Sequence, residues 1–85
     1  VFIKGKVQGV YFRQNLRIVA KRHEVNGWVR NLKDGRVETV LEGEERNVSE
    51  VIEWCHAGSS EARVDDVSVQ YEPYTGEFNS FKVLY

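Results

Sequence analysis

The chain has 85 residues, 41% hydrophobic and 29% charged, with a formal net charge of −1. That length fits one domain over residues 1–85, and the near-neutral charge argues against a large nucleic-acid footprint. The single cysteine, Cys55, excludes an intramolecular disulfide and a cysteine metal cluster, and no apolar run approaches the roughly 20 residues of a membrane span.

Val1 to Val7 alternates Val1, Ile3, Gly5 and Val7 against Phe2, Lys4 and Lys6. This period of two predicts a strand with one buried face. From Phe12 to about His23 the apolar residues Phe12, Leu16, Val19 and Ala20 fall at i, i+4, i+7 and i+8, the stripe of an amphipathic helix. Val25 to Asn31 predicts a second strand. Asp34-Gly35 marks a hairpin, since glycine adopts positive φ readily, and Val37 to Glu42 is the returning strand. Val48, Val51, Ile52 and Cys55 define a second helix over Glu44–Ala57, ended by Gly58-Ser59-Ser60. A fourth strand is expected over Val64–Tyr74, and a last strand over Phe78–Tyr85 after a turn at Thr75-Gly76-Glu77. The order β-α-β-β-α-β, with room for an extra strand or a split at the C-terminal end, with two one-faced helices and a mainly antiparallel sheet, defines an α+β class of the ferredoxin-like, split β-α-β kind. Both helices are expected on one face of the sheet.

Two short segments carry the candidate chemistry. In Gly5-Lys6-Val7-Gln8-Gly9-Val10-Tyr11-Phe12-Arg13 a strand ends and a helix begins. The backbone N–H groups of Gln8, Gly9, Val10, Tyr11, Phe12 and Arg13 then lack intrahelical partners. Curled into a nest, such groups bind an anion, and the helix dipole assists. Arg13 adds a planar fork matched to phosphate oxygens. The spacing also suits a plain strand–helix connection with a solvent-facing arginine. In Gly27-Trp28-Val29-Arg30-Asn31, Asn31 is either a turn-former or a carboxamide that holds a water. The first strand is expected beside the later hairpin strand, which would bring Arg13 and Asn31 to one sheet end. His23 and His56 sit at helix C-termini without metal-ligand spacing. Cys55 lies on an apolar stripe and is expected to be a buried structural thiol. Glu42, Glu44, Glu45, Glu50 and Glu53 are expected to form a solvated acidic face. No G-x-x-x-x-G-K-[ST] loop is present.

Gly5 to Arg13 resembles the acylphosphatase signature G-x-V-Q-G-V-x-F-R. Gly27-Trp28-Val29-Arg30-Asn31, followed by Asp34-Gly35-Arg36-Val37-Glu38, resembles that family's second signature, G-[YW]-[AV]-x-N-x-x-[DG]-G-x-V. The likeness covers the whole chain, with Tyr11 at a variable position where a small residue is common. It implies hydrolysis of a carboxyl-phosphate anhydride to a carboxylate and inorganic phosphate, by a monomer that needs neither metal nor cofactor. By the same resemblance Arg13 would bind the phosphoryl group, Asn31 would position the attacking water, and the amides near Gly9–Arg13 would cradle the oxygens. A cytoplasmic enzyme for small acyl phosphates follows, with no nucleic-acid or membrane partner. The alternative is a non-catalytic phosphate- or carbamoyl-phosphate-binding module, as at the N-terminus of hydrogenase-maturation carbamoyltransferases. An RNA-binding reading is weaker, because Lys6 and Gln8 stand where an RNP1 motif needs its stacking aromatics.

Overall fold

The computed structural model describes all 85 residues. The elements are β1 (Phe2–Lys6), α1 (Phe12–Arg22), β2 (Asn26–Asn31), β3 (Val37–Glu42), α2 (Glu45–Ala57), β4 (Arg63–Ser68) and β5 (Phe81–Val83). The strands form one sheet in the order β4-β1-β3-β2-β5. β1 pairs antiparallel with β3 and β4, and β2 pairs antiparallel with β3. β5 joins β2 in parallel, with Val29 opposite Val83. This is the ferredoxin-like split β-α-β arrangement with one short parallel edge strand added.

These directions decide where the functional segments meet. β1 and β2 flank β3 and both run against it, so they point the same way. β5, parallel to β2, points that way too. The C-terminal ends of β1, β2 and β5 therefore share one edge of the sheet. The turn into α1, Asn31, and Leu84-Tyr85 follow or close those three ends.

Alternation within the strands sorts their side chains into two faces. Ile3, Val7, Val29, Val37 and Phe81 are buried and share one cluster with Phe12, Leu16 and Ala20 of α1 and Val51 and Cys55 of α2. Both helices thus cover the same face. Burial pushes the Cys55 thiol up to about 12. Phe12 packs on Trp54, with ring centroids 5.2 Å apart. On the opposite face Arg30 pairs with Glu38 at 2.7 Å and lies over the half-buried Trp28. Neither tryptophan is fully buried.

The last third of the chain departs from expectation. β4 ends at Ser68, not Tyr74, because its ladder with β1 ends at the Phe2–Ser68 pair. Beyond that pair no N–H or C=O of a neighbour holds the chain extended, and Pro73 lacks an N–H altogether. Residues 69–80 instead carry the chain from one sheet edge to the other without regular structure. The final strand is only Phe81–Val83, shorter than Phe78–Tyr85. Glu42 pins the crossing. Its carboxylate accepts from the Thr75 hydroxyl and the Gly76 N–H at 3.1 Å each, and from the Phe78 N–H at 3.3 Å. Glu42 is therefore a loop anchor, not part of a solvated acidic face.

Candidate active site

The turn between β1 and α1 is built on two residues with positive φ. Gly9 has φ 71°, where glycine has no Cβ penalty. Tyr11 has φ 60° and ψ 21°, a left-handed conformation that a non-glycine residue adopts only when its surroundings impose it. Its side chain is 68% exposed, so it turns outward rather than narrowing the cradle. Val10 between them is buried. Its carbonyl accepts a 2.7 Å hydrogen bond from the buried Ser59 hydroxyl, at the end of α2. A trans peptide unit sends its C=O and the following N–H in opposite directions. Tying the Val10 carbonyl inward therefore turns the Tyr11 N–H outward.

The N–H groups of Gln8, Gly9, Val10 and Tyr11 donate no hydrogen bond within the protein. Those of Phe12 and Arg13 are the first two of α1, which helix geometry leaves without partners. The first donor engaged is the Asn15 N–H, bonded to the Tyr11 carbonyl at 3.1 Å. Six consecutive amides thus stand free at the positive end of a helix dipole. Arg13 lies in the first turn of that helix. Its Nη1 donates to the Leu84 carbonyl at 2.9 Å, and the Tyr85 ring centroid lies 4.7 Å from its Cζ. The five ion pairs of the chain engage His23, Arg30, Arg36, Arg46 and Arg63 but not Arg13. Its charge is not neutralised by any carboxylate.

Asn31 ends β2 on the same face as the buried Val29, two residues earlier. That is the face covered by α1. The Asn31 Oδ1 is buried and has no hydrogen-bond partner. An orphaned buried acceptor carries a desolvation penalty of about 1–3 kcal/mol, which a donor arriving with the ligand relieves. The structure ties this strand end to the turn at two points. The Gln8 Nε2 donates to the Leu32 carbonyl, next to Asn31, at 2.7 Å. Arg13 holds Leu84, whose N–H donates to the Val29 carbonyl at 2.8 Å. The hairpin beyond Asn31 is stiffened by Asp34, which accepts from the Arg36 N–H and guanidinium; these bonds hold the Asp34 carboxyl below the usual carboxylate range.

Arg13, Asn31 and the Gln8–Arg13 amides therefore belong to one sheet edge. The histidines do not join them. His23 Nδ1 lies 2.9 Å from Glu50 Oε2, between the two helices, and no group of three His, Cys, Asp or Glu is placed to hold a metal. A cleft of about 620 Å3 lies between β3, α2 and residues 69–78, and none of the site residues lines it. Sequence reasoning missed the side chain of Gln8, the hydroxyl of Ser59, and the Leu84-Tyr85 clasp on Arg13. Each depends on a contact across at least 24 positions, for which local spacing carries no signal.

Free backbone amides at a helix start, an arginine unpaired with any carboxylate, and a buried carboxamide closing a neighbouring strand end are groups suited to a phosphate-sized anion. Comparison with known proteins places the chain in a family. The acylphosphatase family model matches residues 1–83. An acylphosphatase of Syntrophus aciditrophicus is 54% identical over 85 residues, covering all of this chain and 88% of that one. The crystal structure of the Bacillus subtilis acylphosphatase superposes with a TM-score of 0.95 at 34% identity, covering 99% of this chain and 93% of that one. Full-length HypF, in a phosphate- and nucleotide-bound form, superposes with a TM-score of 0.85 at 30% identity, over 98% of this chain but only 11% of its own. The chain belongs to the acylphosphatase family.

Proposed function

We propose that Arg13, Asn31 and the backbone amides of Gln8 to Arg13 carry out the acyl-phosphate hydrolysis that family membership assigns to the chain. The phosphoryl oxygens sit in the amide cradle, with the free edge of the Arg13 guanidinium closing it. The Asn31 Oδ1 accepts a hydrogen bond from water and holds it against phosphorus, opposite the leaving group. The water oxygen forms the new P–O bond as the bond to the acyl oxygen breaks. The carboxylate departs with the bonding pair, and the protons of water stay with the phosphate product. Because a carboxylic acid has a pKa near about 4, its anion leaves without an acid to protonate it. Phosphoryl transfer then asks mainly for position and charge. Fixed donors aimed at the charge that develops contribute roughly 3–4 kcal/mol each. A phosphate monoester, with a far more basic leaving alkoxide, is a poor substrate for such a site.

The buried, partnerless Asn31 Oδ1 at the end of β2 is the observation that carries this reading. We read the enzyme as a single domain, a cytoplasmic monomer that uses neither metal nor cofactor and binds no nucleic acid; one chain supplies every group the mechanism uses. Phosphate release from benzoyl phosphate in excess chelator is the direct test. Asn31→Ala is expected to lose about two orders of magnitude in kcat, the size of effect that positioning of a reactant produces, while inorganic phosphate still competes. Wild-type turnover by Asn31→Ala refutes the role given to Asn31. Phosphate binding without turnover by the unaltered chain would instead favour a non-catalytic binding module.

A further inference from the structure

The cradle and Asn31 stand on different strands, with β3 between them. Nothing in the backbone pairing of β1 with β3 fixes their separation, because that ladder engages only Phe2 and Ile3. Of the two ties across the gap, the one through Arg13 and Leu84 reaches β2 at Val29, and the one that reaches the residue after Asn31 directly is made by Gln8. Its Nε2 donates to the Leu32 carbonyl at 2.7 Å and to the Arg36 carbonyl at 3.0 Å. Both carbonyls belong to the base of the β2–β3 connection, where the Leu32 N–H also donates to the Arg36 carbonyl at 2.8 Å and the Gly35 N–H to the Leu32 carbonyl at 3.2 Å. We propose that the Gln8 side chain is a positioning residue for hydrolysis: it sets the distance between the phosphoryl cradle and the water held by Asn31.

The chemistry suits glutamine in particular. The target is a pair of acceptors, and an uncharged NH2 group brings two donors to them. A glutamate of the same shape would set acceptor against acceptor. Asparagine, shorter by one carbon–carbon bond of about 1.5 Å, would not span the gap without moving the turn. Each carbonyl keeps a backbone donor when Gln8 is removed, so the hairpin closes with or without it. What is lost is the direct link between the turn and Leu32, the residue directly after Asn31, while the tie through Arg13 and Leu84 to Val29 remains. A catalytic group displaced by about 1 Å is enough to lower a rate a hundredfold.

This inference rests on the role proposed for Asn31, and its test separates the two. Gln8→Met keeps the length and removes the donors; Gln8→Ala opens the carbonyls to water and serves if Gln8→Met folds poorly. With benzoyl phosphate, kcat is expected to fall roughly 10- to 100-fold, while KM and the inhibition constant for inorganic phosphate stay within about threefold, since the amides and Arg13 belong to one continuous segment. In an Asn31→Ala background the same Gln8 substitution should change kcat by less than about threefold, the non-additivity expected of residues that act as one unit. Unchanged kcat in both Gln8 variants overturns the proposal, as does a rise in KM and in the phosphate constant with kcat intact. Full additivity with Asn31→Ala also overturns it. If Asn31→Ala alone keeps wild-type turnover, the role of Asn31 fails first and this inference falls with it; if Asn31→Ala is impaired and the Gln8 variants are not, only this inference fails.

Discussion

Arg13→Lys keeps the charge of the cradle and removes its geometry. In the structure one Nη of Arg13 is committed to the Leu84 carbonyl at 2.9 Å, and the ring of Tyr85 lies against the guanidinium. The remaining edge of the fork is free to meet two phosphoryl oxygens. A lysine ammonium is a single point that cannot reach Leu84 and two phosphoryl oxygens in the same plane. One charge-assisted hydrogen bond is therefore forfeited, at about 1.5–3 kcal/mol. At 1.4 kcal/mol per factor of ten this is a loss of roughly 10- to 150-fold in kcat/KM. Arg13→Ala forfeits two such bonds and should lose roughly two to four orders of magnitude on the same scale. The assay is benzoyl phosphate hydrolysis, followed by continuous absorbance, with thermal denaturation of each variant as the control for folding. A folded Arg13→Lys enzyme within about threefold of wild type would refute the claim that the fork, rather than the charge alone, grips the phosphoryl group.

Two further predictions concern the groups that hold the turn and the core. Ser59→Ala strands the buried Val10 carbonyl; stability should fall by about 1–3 kcal/mol, which for a domain of this size lowers Tm by roughly 4–24 °C, and phosphate affinity should weaken with it. An unchanged Tm by calorimetry would show that Val10 finds another donor. Cys55 gives a pH dependence of known sign. In the unfolded chain the thiol loses its proton near its ordinary value of 9.0, whereas in the folded protein it keeps it up to about 12. Between those values the folded state binds more protons, so this thiol's contribution to stability is present below about pH 9 and declines as pH rises. Chemical denaturation across that range should show a shallower decline in Cys55→Ala than in the parent chain.

The early elements were legible because local pattern and tertiary demand agree there. The apolar stripe of α1 buries Phe12, Leu16 and Ala20 as its spacing requires, and the Asp34-Gly35 turn sets the β2–β3 hairpin with Val37 opposite Asn31. Residues 69–74 were misread because alternating side chains there satisfy the strand pattern without a neighbouring strand to pair with, and residues 78–80 were joined to a last strand that begins only at Phe81. Glu42 was misread for a related reason. Its acidic neighbours in sequence suggested a solvated face, while its partners lie more than 30 positions downstream.

For the site, the sequence by itself determined the chemistry: a glycine-bearing strand–helix turn, an arginine at the helix start, and an asparagine closing a strand. Backbone donors at a helix start and a planar guanidinium are properties of residue type and local geometry, so they are visible in one dimension. Only the tertiary structure decided that these groups lie at one side of the sheet. Their meeting depends on β1, β2 and β5 ending at the same edge, and on Gln8, Ser59 and Leu84 bridging segments far apart in the chain. Those bridges involve backbone carbonyls, which every residue possesses, and so leave no mark in the sequence until the fold brings them within reach.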